Sequence, residues 1–136
     1  LIKGETFKNM INQVMDDTVK AVVLSMVVDN PTGYGRILKD ENGNFIKIVE
    51  EKDSSEEEKT IKEVNTGTYV FDSSFLFSGL SKIDTNNAQG EYYLPDALQH
   101  IVDSGYTVKT VILENNKEGT GINTKEELLA LEQSIK

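Results

Sequence analysis

Phe7, Met10, Ile11 and Val14 recur at i, i+3, i+4 and i+7, the spacing of a single apolar helix face. Val19 to Val28 is rich in β-branched residues and predicts a buried strand. Pro31-Thr32-Gly33-Tyr34-Gly35 then breaks the pattern and predicts a loop, since Pro fixes one φ and glycine permits unusual ones. Arg36 to Lys39 and Phe45 to Val49 predict short strands joined around Asn42-Gly43, a hairpin signal. Ser55 and Glu58 have capping-box spacing, which predicts a short acidic helix ending near Lys62. Thr66 to Phe71 reads as a strand, Ser74 to Leu80 as a short helix and Asp84 to Gly90 as a polar loop.

Leu94, Leu98, Ile101 and Val102 form the apolar stripe of a further helix, with Pro95 in its first turn and Gly105 at its end. Thr107 to Leu113 predicts a strand, and Gly119 to Asn123 a loop. Thr124 and Glu127 form a capping box for a last helix lined by Leu128, Leu131 and Ile135. Helices thus alternate with strands and a hairpin, which predicts a mixed α/β layer structure. The chain shows no repeat, linker or low-complexity segment, and Glu56-Glu57-Glu58 reads as a solvated helix face.

Composition narrows the class. The 136 residues, 38% of them hydrophobic, suffice for one domain, or part of one, with a real core. No run of about 18 apolar residues would span a membrane, and no basic segment leads into an apolar one as a secretory signal would. A net charge of −9 argues against a nucleic-acid partner. It leaves room for a small phosphorylated ligand held by local amides, a few cations and metal. With no cysteine, disulfides and thiolate zinc sites are excluded, and a cytoplasmic enzyme is expected. Because the first residue is Leu1 and not Met, a longer natural protein is expected upstream.

Four stretches have candidate chemistry, each beside a plainer reading. Gly33-Tyr34-Gly35-Arg36 would let backbone approach a ligand, with the Gly35 N–H as donor, or would simply turn the chain into the hairpin. Glu50, in Glu50-Glu51-Lys52-Asp53, would accept from neighbouring sugar hydroxyls, or would be solvated charge at a strand end. The Asn65 amide, in Asn65-Thr66-Gly67, can both donate and accept toward a hydroxyl-rich ligand, or can form a local turn. Glu91-Tyr92-Tyr93 offers rings that suit a sugar face, or half-buried core tyrosine. Asn123 suits Mg²⁺ only with a carboxylate nearby, and His100, the sole histidine, reads as structural. There is no P-loop, G-x-G-x-x-G, G-x-S-x-G or metal-spaced histidine cluster.

The order and spacing of these stretches add a resemblance. Pro31-Thr32-Gly33-Tyr34-Gly35-Arg36, Ile48-Val49-Glu50-Glu51-Lys52-Asp53, Asn65-Thr66-Gly67, Asn86-Asn87-Ala88-Gln89-Gly90-Glu91-Tyr92-Tyr93 and Gly121-Ile122-Asn123 together resemble one bacterial family. It is the uridyltransferase domain of the bifunctional N-acetylglucosamine-1-phosphate uridyltransferase/glucosamine-1-phosphate acetyltransferases, and the likeness spans the whole chain. The resemblance implies a Rossmann-like nucleotide-diphospho-sugar transferase fold, of which this chain would be the C-terminal, sugar-binding part. It implies a nucleotidyltransferase that joins UTP to N-acetylglucosamine 1-phosphate, giving UDP-N-acetylglucosamine and pyrophosphate with Mg²⁺ as cofactor. Gly35, Glu50 and Asn65 would hold the sugar with Thr66 beside them, Glu91 and Tyr93 would shape the pocket, and Asn123 would be a ligand to Mg²⁺.

The family's nucleotide-binding loop, the aspartate that partners Asn123 and the β-helix acetyltransferase domain have no counterpart in these 136 residues. The expectation is therefore a chain with no catalytic residue of its own and no uridyltransferase activity alone. Bared strand edges and a bared apolar sheet face would favour self-association. A pyrophosphorylase for glucose or mannose 1-phosphate, a non-catalytic module that binds sugar nucleotide or mediates assembly, and a ligand-free scaffold stay open as alternatives. The Asn87-Ala88-Gln89-Gly90-Glu91-Tyr92-Tyr93 run favours the N-acetylglucosamine branch.

Overall fold

The computed structural model describes residues 2–83, 90, 93–119 and 124–135. Helix α1 (Gly4–Val14) leads into β1 (Val19–Val27), the β2–β3 hairpin (Arg36–Lys39, Phe45–Val49) and β4 (Glu63–Phe71). Helices α2 (Ser73–Leu80) and α3 (Pro95–Asp103), strand β5 (Thr107–Ile112) and α4 (Lys125–Ser134) complete the described chain. The five strands form one sheet in the order β3-β2-β4-β1-β5. Among the described residues only β1 and β5 pair in parallel; the other pairings are antiparallel.

Alternation along β1 feeds two cores. Ala21 and Val23 pack on one face with Ile37, Ile48, Leu98 and Ile101, while Val22, Leu24 and Met26 pack on the other with Met10. Helix α3 thus covers one face and α1 the other, so the sheet face expected to stand bare is covered at its centre. The edge expectation fares differently. β4 pairs with β2 only at Arg36↔Val64, and among the described residues its outer edge beyond Asn65 has no strand partner.

Most predicted elements are present. The hairpin turn is closed by Asp40, whose carboxylate accepts from the N–H of Asn42 and Asn44 at 2.9 Å each, and Gly43 takes φ +82°. Pro95 opens α3, and Gly105, at φ +89°, ends it. The acidic helix from Ser55 to Lys62 is a correction. Its capping box forms, Ser55 N–H to Glu58 Oε1 at 2.9 Å and Glu58 N–H to Ser55 Oγ at 3.2 Å, but only a 3-10 turn, Glu58–Thr60, follows. The tract has no apolar stripe to bury, and the sheet claims its end: the Lys62 carbonyl accepts from Val28 N–H, and Glu63 pairs with Val27. β4 therefore starts three residues before the expected Thr66.

Candidate functional site

Gly35, Glu50 and Asn65 come together where β2, β3 and β4 meet. Arg36 pairs with Val49 across the hairpin, and one step further along that register sets Gly35 opposite Glu50. A Cβ on Gly35 would lie 2.9 Å from Ile48 Cγ2 and 3.3 Å from each Glu50 carboxylate oxygen. Gly35 is thus needed for space, whereas Gly33, at φ +88°, is needed for backbone conformation. On its other side the Gly35 carbonyl accepts from the Asn65 N–H at 2.9 Å.

The Asn65 side chain is held by a break in β4. Leu24 pairs with Thr68 and Ser25 with Asn65, so Thr66 and Gly67 are extra residues in the ladder, and Gly67 takes φ +83°. The bulge leaves the Leu24 carbonyl to the Thr66 hydroxyl, which donates to it at 2.7 Å. Asn65 Oδ1 accepts from the Gly67 N–H at 2.9 Å, and its Nδ2 donates to the Tyr69 hydroxyl at 2.6 Å. The turn-forming role is therefore present, and both ends of the amide have partners within β4. The structure commits the Thr66 hydroxyl to the bulge.

Glu50 opens into a cleft of about 230 Å³, lined also by Ile48, Asp53, Tyr93, Asp96 and Gln99. Tyr93 therefore joins Glu50, and it does so from the start of α3, where its carbonyl accepts from the Asp96 N–H at 3.1 Å. Burial pushes the Glu50 carboxyl above the usual carboxylate range, and the charges of Asp53 and Asp96 add to the effect. Burial also raises the Tyr69 hydroxyl, opposed by its Asn65 hydrogen bond and assisted by the Glu50 charge. Tyr69 is a site neighbour that sequence reasoning missed. The signal was present in the strand spacing: two extra residues keep the alternation in phase, so Asn65 and Tyr69 share a face.

Glu51, the next residue, points away from this cleft to Arg36. Arg36 is 2% exposed and Glu51 29%, and Arg36 Nη1 donates to the Glu51 carboxylate. Arg36 also donates to the Tyr34 carbonyl at 2.6 Å and the Lys59 carbonyl at 3.2 Å. The Arg36 hydrogen bond holds the Glu51 carboxyl below its usual range, aided by the Gly33 N–H and the charge of Lys59.

Glu91 and Asn123 lie outside the described residues, as do Asn86 to Gln89 and Tyr92. Among the described residues, no group of three or more His, Asp or Glu side chains is placed to hold a metal ion. No described helix is long and apolar enough to cross a membrane.

Comparison with known proteins places the chain in a family. The chain is 45% identical, over all its residues, to the "Bifunctional protein GlmU" of Bacillus velezensis and to that of Streptococcus thermophilus, and 43% identical to that of Bacillus subtilis. It spans about 30% of the length of each. Among solved structures it resembles a Bacillus anthracis protein assigned as a glucose-1-phosphate thymidylyltransferase and crystallised with sucrose. That match has a TM-score of 0.63 at 21% identity, covering 92% of this chain and 48% of the other, and it shows a shared fold. The sequence model of the nucleotidyl transferase family matches residues 1–121, and the chain belongs to that family.

Proposed function

We propose that residues 1–136 carry the acceptor-sugar part of a uridyltransferase site, which makes UDP-N-acetylglucosamine and pyrophosphate from UTP and N-acetylglucosamine 1-phosphate. The observation that carries this reading is the packing of Gly35 against the Glu50 carboxylate, which lines the cleft, with the Asn65 backbone N–H hydrogen-bonded to the Gly35 carbonyl. An ionised Glu50 would accept from two sugar hydroxyls, and charge-assisted hydrogen bonds of that kind are about twice as strong as neutral ones. Asn65 is oriented beforehand by Gly67 and Tyr69, so little ordering is left for the ligand to cause. Tyr93 and Glu91 would complete the pocket wall. The names of the relatives support this branch of the family.

Mg²⁺ would neutralise charge on the phosphates when bound. Asn123 would supply one ligand oxygen. The described side chains offer no complete donor set by themselves, so the role of this chain is derived without the metal. We place the reaction in the cytoplasm, with the cysteine-free composition in support.

Titrating the chain with N-acetylglucosamine 1-phosphate tests the reading. Glu50→Ala and Asn65→Ala should each weaken binding about tenfold or more. Unchanged affinity in both would overturn it. Equal affinity for glucose or mannose 1-phosphate would favour the wider hexose reading. We further propose that copies of the chain associate, because β4 has an unpaired outer edge. A monomer stable to dilution in sedimentation velocity would refute this.

A further inference from the structure

Arg36 and Glu51 have no place in the cleft, yet Glu51 adjoins Glu50, which lines it, and Arg36 adjoins Gly35, which packs against the Glu50 carboxylate. Arg36 follows Gly35, and Glu51 follows Glu50. We propose that Arg36 is a positioning residue for the acceptor sugar, which fixes the spacing between the Gly35 backbone and the Glu50 carboxylate by clamping the glycine loop to the turn at Glu51. The inference rests on the acceptor-site reading given above.

Three contacts define the clamp. Arg36 donates to the carbonyl of Tyr34 inside the glycine loop, to the carboxylate of Glu51 in the Glu51–Asp53 turn and to the carbonyl of Lys59 in the next turn. The bonds to Tyr34 and Glu51 thus tie the loop to the turn through one guanidinium. Between them, Gly35 and Glu50 face one another with room for no Cβ. A small shift of the loop would therefore either close the gap over the carboxylate or withdraw the Gly35 N–H from the ligand. Stability alone is a poor account of this arrangement. Arg36 is the largest fully buried side chain described, and its Nε finds no acceptor among the described residues. A buried cation with an unmade hydrogen bond stabilises a fold less than an apolar side chain of similar volume would.

The test is calorimetric titration of the chain with N-acetylglucosamine 1-phosphate, read as Kd and as binding-competent fraction. Arg36→Lys keeps the charge but loses the planar fork that reaches three acceptors. Glu51→Gln is isosteric and keeps an oxygen for Arg36. Met10→Ala, on the buried side of α1 against the opposite sheet face, supplies a destabilised control away from the cleft. The expected result is a Kd raised about tenfold in Arg36→Lys and less in Glu51→Gln, with the competent fraction near that of the unmodified chain. Met10→Ala should lower the melting temperature and leave Kd in place. If both clamp variants bind as the unmodified chain does, the assignment of Arg36 falls and the acceptor-site reading stands. The same holds if Met10→Ala raises Kd equally. If the unmodified chain does not bind the sugar phosphate, the acceptor-site reading falls and takes the inference with it.

Discussion

Glu50 and Glu51 are adjacent, and their surroundings are opposite. Glu50 turns into the cleft, where burial and two further carboxylates make its charge costly. Glu51 turns to the rear, where a guanidinium and a backbone N–H make its charge welcome. The difference separates two jobs within one turn. An ionised group held in an unfavourable setting has unsatisfied capacity that a ligand can fill, whereas a group already satisfied holds the scaffold. The front side should therefore act on a ligand directly, and the rear side should act on it only by holding the loop and the turn in place.

The largest effect should follow from breaking the rear side. Arg36→Ala empties the space of the buried stem, removes the donors to Tyr34 and Lys59 and leaves Glu51 without its partner. Loss of about 3 kcal/mol is expected, read from urea denaturation midpoints at constant slope. A loss under about 1 kcal/mol would mean that water replaces the clamp and that front and rear do not differ as described.

How much of this was legible beforehand depended on range. The hairpin at Asn42-Gly43, the Pro95 start of α3 and the Thr124–Glu127 capping box depend on neighbouring residues, and all three are present. The Ser55–Glu58 box is present too, but the helix it predicted is not, because pairing of Glu63 with Val27 pulls the chain into the sheet. Leu128, Leu131 and Ile135 were readable as a stripe on α4, yet Leu128 and Ile135 are 41% and 62% exposed. Periodicity shows which face is apolar and not what it meets. At the candidate site, Gly35, Glu50 and Asn65 were candidates by their residue types and by family likeness, and the structure sets Gly35 beside both of the others. That Gly35 clears space for Glu50 depends on hairpin register, and that Arg36 holds Glu51 depends on which way two adjacent carboxylates turn. Neither is local, so neither could be read along the chain.

A smaller effect should follow at the bulge, which is held by neutral groups instead of a buried charge. Thr66→Val is nearly isosteric and removes the hydroxyl that satisfies the Leu24 carbonyl. A loss of about 1–2 kcal/mol is expected, with a further loss of sugar affinity as Asn65 drifts from Gly35. If Thr66→Val weakens binding without lowering stability, Thr66 contacts the ligand directly, as the family resemblance implies. Amide exchange at Gly67 and Thr68 would report whether the bulge has opened.

Glu50→Gln should have the smallest effect on stability, and its sign is the sharpest check on the contrast. The Glu50 carboxyl is raised by folding, so it binds its proton more readily folded than unfolded. Its contribution to stability is complete below the ordinary carboxylate range and is lost as pH rises through the raised value. At pH 7 the ionised group therefore costs stability, and glutamine, which has no charge to bury, should raise the melting temperature slightly. At a pH below the ordinary carboxylate range both side chains are neutral and the two proteins should melt together. Sugar-phosphate affinity should move the other way, falling about tenfold at pH 7 as a charge-assisted acceptor is replaced by a neutral amide. Stability gained and affinity lost by one substitution is the signature of a group placed for a ligand. A Glu50→Gln protein that is less stable at pH 7 would mean that Glu50, like Glu51, is already satisfied within the fold.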